Sequence, residues 1–188
     1  MATRYPELAK LLQAKSLKRG HFVLTSGATS TYYIDGKMTC MDPHGATLIA
    51  DAILNEIRQL PVDAVGGMDM GATPIVGAVA TRSWEKGRPL PVFVVRKDVK
   101  AHGTKKAIEG PLPPTPCNVV IVDDVVTTGG SILKAIDVAQ AAGCKVLLAI
   151  TVLDRGAGAA QALADRGIPY QPLAVLEDLG IESQPAAT

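Results

Sequence analysis

The chain has 188 residues, 47% of them apolar, and a formal net charge of +1. That length suits one α/β domain with a sizeable core, and the scattered Gly and Pro exclude low-complexity disorder. The near-zero charge argues against a general binder of nucleic acid or membrane surfaces, which would carry a basic excess, so any electrostatic function must come from local clustering.

In the first 18 or so residues, Leu8, Leu11 and Leu12 recur at helical spacing with Lys and Gln between them, which predicts a surface helix. No uninterrupted apolar signal region opens the chain, and no run is long enough to span a bilayer. Cys40, Cys117 and Cys144 are odd in number and lack CxxC spacing. They read as three reduced thiols of a cytoplasmic protein. HFVLTSGATSTYYIDGKM predicts two short strands about a Ser-Gly-Ala-Thr turn. Asp42 and Pro43 then start a helix expected to run to about Leu60.

From Val62 the pattern alternates. A strand there precedes a helix from about Pro74 to Lys86. A strand from Val92 is followed by a long polar segment. A strand from Val119 leads through a Gly pair into SILKAIDVAQAA. A strand from Val146 precedes the helix GAGAAQALADR, and YQPLAVL is the last strand. Short Val- and Ile-rich runs separated by helices predict a central parallel sheet covered on both faces. PLPPTP, Pro111 to Pro116, is a stiff connector too short to separate domains. The expectation is one domain over 1–188, with an N-terminal hood of helix and hairpin at 1–41, an α/β core at 42–175 and a tail at 176–188.

The densest chemistry lies in VVIVDDVVTTGGS, Val119 to Ser131. Ligands of open parallel sheets collect at the C-terminal ends of strands. Val119 to Val122 form the buried strand, and Asp123 and Asp124 are its first polar residues. Thr127, Thr128, Gly129, Gly130 and Ser131 form a turn and the first helical residues, where small side chains and a helix N-terminus make a phosphate cradle. Paired carboxylates beside an anion site make sense for a ligand that also carries a diol, because carboxylates accept hydrogen bonds from hydroxyls. Phosphate at one end and ribose in the middle satisfy both. No GxxxxGK[ST] is present, which excludes a Walker loop.

This segment resembles the binding motif for phosphoribosyl pyrophosphate (PRPP) of the type I phosphoribosyltransferases. The resemblance implies that family's Rossmann-like fold, with Asp123 and Asp124 on the ribose hydroxyls and Val125, Val126 and the residues through Ser131 around the 5′-phosphate. Three further segments resemble the orotate phosphoribosyltransferases. In RKDVKAHGTKKAIEG, Arg96, Lys97, Lys100, Lys105 and Lys106 surround His102, with Asp98 nearby. A cationic loop of this kind can close over pyrophosphate and stabilise the charge building on it. FVLTSGATSTYYID resembles the N-terminal signature, which would set Tyr32 and Tyr33 beside the base; some members carry a Lys where this chain has Thr25. GGMDMGATPI resembles the pyrophosphate loop. Some relatives place a Lys at the position of Gly71, so backbone amides around Met70, Gly71 and Ala72 are expected to replace it. Arg155, after the strand ending VLD, would pair with the orotate carboxylate, for which an Arg fork is suited, and Thr127 would join it in the orotate site.

The resemblance implies transfer of phosphoribosyl from PRPP to orotate, giving orotidine 5′-monophosphate and pyrophosphate in UMP synthesis. Lys100, His102 and Asp124 would be the catalytic residues, and Arg96, Lys97, Met70 and Gly71 would bind PRPP. Mg²⁺ would be held mainly through PRPP and water, with no direct protein ligand. The family's homodimer would bring the Lys97 to Lys106 loop into the neighbouring site, with neither nucleic acid nor membrane as a partner. Two alternatives are another enzyme of the superfamily, against which the HG…IEG loop and Arg155 speak, and a PRPP-binding regulator, which would show a basic surface or lack the loop.

Overall fold

Val- and Ile-rich runs give three strands of a six-stranded sheet, Val92–Val95, Cys117–Val126 and Cys144–Asp154, because β-branched side chains suit strands covered on both faces. The computed structural model describes residues 3–23, 29–97 and 106–181. The strands that build this sheet are β3 (Ala64–Met68), β4 (Val92–Val95), β5 (Ile108–Glu109), β6 (Cys117–Val126), β7 (Cys144–Asp154) and β8 (Tyr170–Val175), in the order β5-β4-β3-β6-β7-β8. All neighbours are parallel except β4 and β5, which pair antiparallel. Helix α4 (Thr73–Glu85) links β3 to β4 on one side, and α5 (Gly130–Ala141) links β6 to β7 on the other. The winding therefore reverses between β3 and β6. At such a switch point the loops leaving two adjacent strands part, opening a crevice for ligand.

Two apolar layers flank the sheet. On one face α3 (Pro43–Glu56) and α4 pack Ile49, Ile53, Ile75 and Val79 onto Val65, Val120 and Ile150. On the other, α5 and α6 (Ala159–Ala164) pack Ile132, Ile136 and Leu163 onto Phe93, Val119 and Ile121. The N-terminal part is separate from the main sheet: α1 (Pro6–Lys15) and a two-stranded hairpin of β1 (Leu17–Val23) and β2 (Thr29–Ile34), followed by the short α2 (Lys37–Cys40). Of the predicted Ser-Gly-Ala-Thr turn between these strands, Thr29 already belongs to β2, and the rest falls outside the described residues.

Several element ends differ from expectation for local reasons. Helix α3 begins as expected, with Asp42 accepting from the amides of His44 and Gly45. It stops at Glu56, and single turns carry the chain to Leu60, since a residue before proline is steered out of the helical region. Helix α6 starts only at Ala159 because Gly156 and Gly158 hold positive φ. The polar segment after β4 contains β5, whose two residues were too few to show periodicity. Cys117 and Cys144, 27 residues apart, stand opposite each other on β6 and β7 with Sγ atoms 2.9 Å apart, both as free thiols. Burial and its neighbouring sulfur push the Cys144 thiol up to about 12.

The segment after β8, expected as a tail, forms a 3₁₀ turn at Leu176–Leu179 that returns to the hood. Leu176 and Leu179 join the same apolar layer as Leu8 and Leu12, while Gln13 donates to the Leu179 carbonyl at 3.1 Å and Arg19 to that of Gly180 at 3.2 Å. Leu179 is fully buried. Leu179→Ala is expected to cost about 2–4 kcal/mol, in the range for a buried leucine truncation. Urea unfolding checks this; a change within error of zero would mean that the turn adds nothing to the fold.

Candidate active site

The crevice at the switch point is a cavity of about 460 Å³, within the usual range for small-molecule sites. Its floor is Asp123 and Asp124. β6 continues past both, so these carboxylates lie inside the strand rather than just beyond it, and only 4% and 8% of the two residues is exposed. Each carboxylate accepts from the next amide, Asp124 N–H to Asp123 Oδ1 at 3.0 Å and Val125 N–H to Asp124 Oδ1 at 2.8 Å. Burial, reinforced by the negative charge of Asp124, pushes the Asp123 carboxyl up to about 7.

One wall is the loop between β3 and α4. It comes so close that a Cβ built on Gly71 would lie 2.6 Å from both Asp123 Oδ1 and Asp124 Oδ1. Only glycine fits there without displacing the acid pair. Met70 lines the cavity beside it. Of the amides expected to face an anion, that of Ala72 is already committed to the Met68 carbonyl at 3.0 Å; the amide that follows, of Thr73, bonds to Met70 at 3.3 Å. The contribution expected of Ala72 is therefore corrected: the turn that joins β3 to α4 takes its amide, leaving those of Met70 and Gly71. Asp69 accepts from the Thr73 hydroxyl at 2.8 Å, which braces the loop against the start of α4.

The opposite wall is the loop 127–131. Gly129 caps α5 with φ +86°, a left-handed conformation that a residue without Cβ adopts freely. The first intrahelical bond runs from Leu133 to Gly129 at 2.9 Å, so the amides of Gly130, Ser131 and Ile132 are first-turn donors lacking an intrahelical acceptor. With Val125, Val126 and Thr127 this loop lines a recess of about 50 Å³ beside the main cavity. The arrangement can hold one anion at the helix N-terminus.

Arg155 sits at the next strand end, its amide bonded to the Val126 carbonyl at 3.0 Å. Its guanidinium carbon lies 5.5 Å from the Tyr32 ring centroid, and its Nε is buried without a partner among the described residues. Tyr33, one residue along β2, faces the other way; it lies against Phe22 at 5.7 Å and is 43% exposed. A strand's two-residue period cannot bring both tyrosines to one site, so the corner at Arg155 holds Tyr32 alone. Asp154, which precedes the arginine, accepts from Tyr170 at 3.0 Å and from Gly156 at 2.8 Å, and so fixes that turn.

The basic segment is described only at its stems. Arg96 is paired with Glu109, its Nε and Nη2 each 2.7 Å from one carboxylate oxygen, and its amide donates to Ala107. Lys97 lines the cavity, and its carbonyl accepts from Lys134 at 2.8 Å. Lys100 and His102 lie outside the described residues. Three side chains of the cavity carried no local sequence signal: Lys37, Asp69 and Lys134. Lys37 is brought to the acid pair by the hairpin. Lys134 lies four residues after Gly130, a helical turn from the cradle.

A doubly wound sheet with an acid pair at its switch point and a helix N-terminus beside it is a Rossmann-like frame suited to a ligand that carries both hydroxyls and phosphate. Residues 42–167 match the phosphoribosyl transferase domain family. The orotate phosphoribosyltransferase of Rhodopseudomonas palustris (strain BisB5) is 42% identical over 171 residues, covering 88% of this chain and 90% of that protein. The crystal structure of Mycobacterium tuberculosis H37Rv orotate phosphoribosyltransferase with Fe(III) dicitrate is similar at a TM-score of 0.85 and 36% identity, covering 94% of this chain and 99% of that one. The same enzyme in complex with PRPP gives 0.80 and 33%, with the same coverage. The chain belongs to the orotate phosphoribosyltransferase family.

The raised Asp123 carboxyl has a consequence for stability. An unfolded aspartate titrates at about 3.9, below the folded value of about 7. The folded state thus binds more protons between these values, and this group's contribution is lost as pH rises through 7. Asp123→Asn is expected to flatten the fall in stability across that window, measured by urea unfolding at several pH values. An unchanged slope would mean that Asp123 titrates normally.

Proposed function

We propose that this chain transfers the 5-phosphoribosyl group of PRPP to orotate, giving orotidine 5′-monophosphate and pyrophosphate for UMP synthesis. The observation that carries this reading is the continuity of three subsites: an acid pair, a helix N-terminal cradle next to it, and an arginine corner at the adjoining strand end. In this assignment the 5′-phosphate occupies the amides of 127–131, with Thr128, Gly129, Gly130 and Ser131 around it. The ribose hydroxyls donate to Asp123 and Asp124, and the diphosphate faces Met70, Gly71 and Lys97. Orotate lies toward Arg155, Tyr32 and Thr127.

The roles follow from charge. As pyrophosphate leaves, positive charge builds on the anomeric carbon, as in glycoside cleavage. Asp124 beside the ribose counters it, while Lys100 and His102 are assigned to the departing oxygens. Arg155 supplies a planar fork for the orotate carboxylate, and its unpartnered Nε supports a role in accepting a ligand's charge. No covalent nucleophile is required; alignment of the two substrates supplies much of the rate.

Mg²⁺ fits this site as part of the donor complex. The hard carboxylate oxygens of Asp123 and Asp124 suit such an ion, while the described residues include no cluster of three or more acidic, His or Cys side chains to cage it. Asp123 and Asp124 would orient it through the ribose and water, and bound there it would neutralise the leaving diphosphate. We further propose a homodimer in which the loop 97–106 serves the neighbouring site. Met38 and Met41, three residues apart at α2 and both exposed, offer apolar surface for a contact between copies. Three free, buried cysteines fit a cytoplasmic enzyme, and no described helix is long and apolar enough to cross a membrane.

The assay follows orotate absorbance with PRPP and Mg²⁺, with uracil and hypoxanthine in parallel. Consumption of orotate alone is expected; its absence would sink the assignment. Arg155→Ala is expected to raise KM for orotate about tenfold or more, the size of a lost charged hydrogen bond, with KM for PRPP little changed. An effect confined to PRPP would overturn the base site. Lys100→Ala is expected to lower turnover far more than PRPP binding. If the loop acts across a dimer, mixing Lys100→Ala with Arg155→Ala subunits should recover up to about a quarter of wild-type activity, since half the dimers then hold one intact site. No recovery would place the loop over its own site.

A further inference from the structure

Lys37 has no part in the assignment above, and its position calls for one. It opens α2 immediately after β2, its amide bonded to Asp35 Oδ1 at 3.2 Å. Its Nζ stands 3.6 Å from Asp124 Oδ2 and 3.9 Å from Asp35 Oδ1. The side chain is 46% exposed and lines the main cavity together with Met70, Gly71 and Asp124. The segment that carries it is pressed onto the acid pair: a Cβ built on Gly36 would lie 2.7 Å from Val125 Cγ2 and 3.2 Å from Asp124 Oδ2. Lys37 is therefore held beside the carboxylates by backbone packing, with its ammonium free to swing on a four-carbon stem.

A diphosphate brought next to two carboxylates meets like charge, and a cation must offset it. The wall nearest the pair cannot provide one. No basic side chain occurs between Asp69 and Thr73, and position 71 has no room for any side chain. Lys134 spends a donor on the Lys97 carbonyl, and Lys97 stands at the stem of the basic segment. Among the described residues Lys37 is the cation in direct contact with the acid pair.

We propose that Lys37 binds the diphosphate of the phosphoribosyl donor. When ribose hydroxyls hydrogen-bond to Asp124, the ammonium exchanges that carboxylate for diphosphate oxygens, to which it presents up to three donors. The inference rests on the donor site described above and adds to it a residue from the hood, so that the hairpin serves the leaving group as well as the base.

The test uses the full chain with Lys37→Met, Lys37→Gln and Lys37→Arg, the glutamine variant covering the case in which methionine impairs folding. Binding of PRPP, inorganic pyrophosphate and ribose 5-phosphate is measured by calorimetry with Mg²⁺, and thermal unfolding is compared alongside. Loss of the charge is expected to weaken PRPP and pyrophosphate about tenfold or more, the size of a charge-assisted hydrogen bond, and Lys37→Arg to restore most of it. Ribose 5-phosphate, which lacks the diphosphate, should change less than about twofold if the contact is with the leaving group. Equal weakening of ribose 5-phosphate would show that Lys37 acts only through Asp124, and unchanged pyrophosphate binding would show that it does not touch the leaving group; either overturns the proposal. A wild-type chain that bound pyrophosphate but not PRPP would instead bring down the donor-site reading.

Discussion

Two carboxylates side by side on one buried strand form an arrangement that the rest of the molecule must make tolerable. Neither charge is solvated as in water, and each raises the cost of the other. The backbone answers part of this with the amides of Asp124 and Val125, and Lys37 answers part with its ammonium. The remaining acceptor capacity points into the crevice. Such a pair holds fixed lone pairs where a diol can meet them, so its cost in the folded protein is also its readiness for a hydroxylated ligand. The topology supplies the opening. Because the winding reverses between β3 and β6, the neighbouring loop turns away after Gly71 instead of closing the crevice.

How much of this was legible in the sequence depended on how local each feature is. The strand, acid pair, turn and helix of 119–131 are contiguous, so their spatial relation follows from strand and helix geometry. The alternation from Val62 onward gave the parallel sheet for the same reason. Lys37 was invisible because it reaches Asp124 from 87 positions away through the packing of Gly36 on Val125. The Ala72 amide looked available in the sequence because the turn that consumes it, closing back on Met68 at the end of β3, leaves no pattern of residue types. Tyr32 and Tyr33 were read together as a pair, although strand periodicity already separates them. The family resemblance pointed to the tyrosines, and the pleat decides between them.

The hairpin changes meaning once the site is assembled. By sequence it was an aromatic segment near a planar base. In the fold it also delivers α2, and with it a cation, to the opposite side of the acid pair. In the proposed reaction one short unit would then serve both ends, the incoming base at Tyr32 and the departing diphosphate at Lys37. Arg155 and Asp154 sit on the core, so the base corner is built by two parts of the chain whose relative placement depends on how α1 and the hairpin dock.

That docking has a consequence for the order in which the molecule can be completed. Helix α1 is made first, yet its buried leucines pack against Leu176 and Leu179, and the bond from Gln13 to Leu179 joins positions 166 residues apart. A ten-residue helix is marginal alone in water, and a closure over so much chain is slow to find. During synthesis α1 can therefore meet α3, through Arg4 and Tyr5 on Glu56, while its later apolar neighbours are still missing. The hood gains its last apolar contacts only after β8 has emerged and led the 3₁₀ turn back to the beginning of the chain.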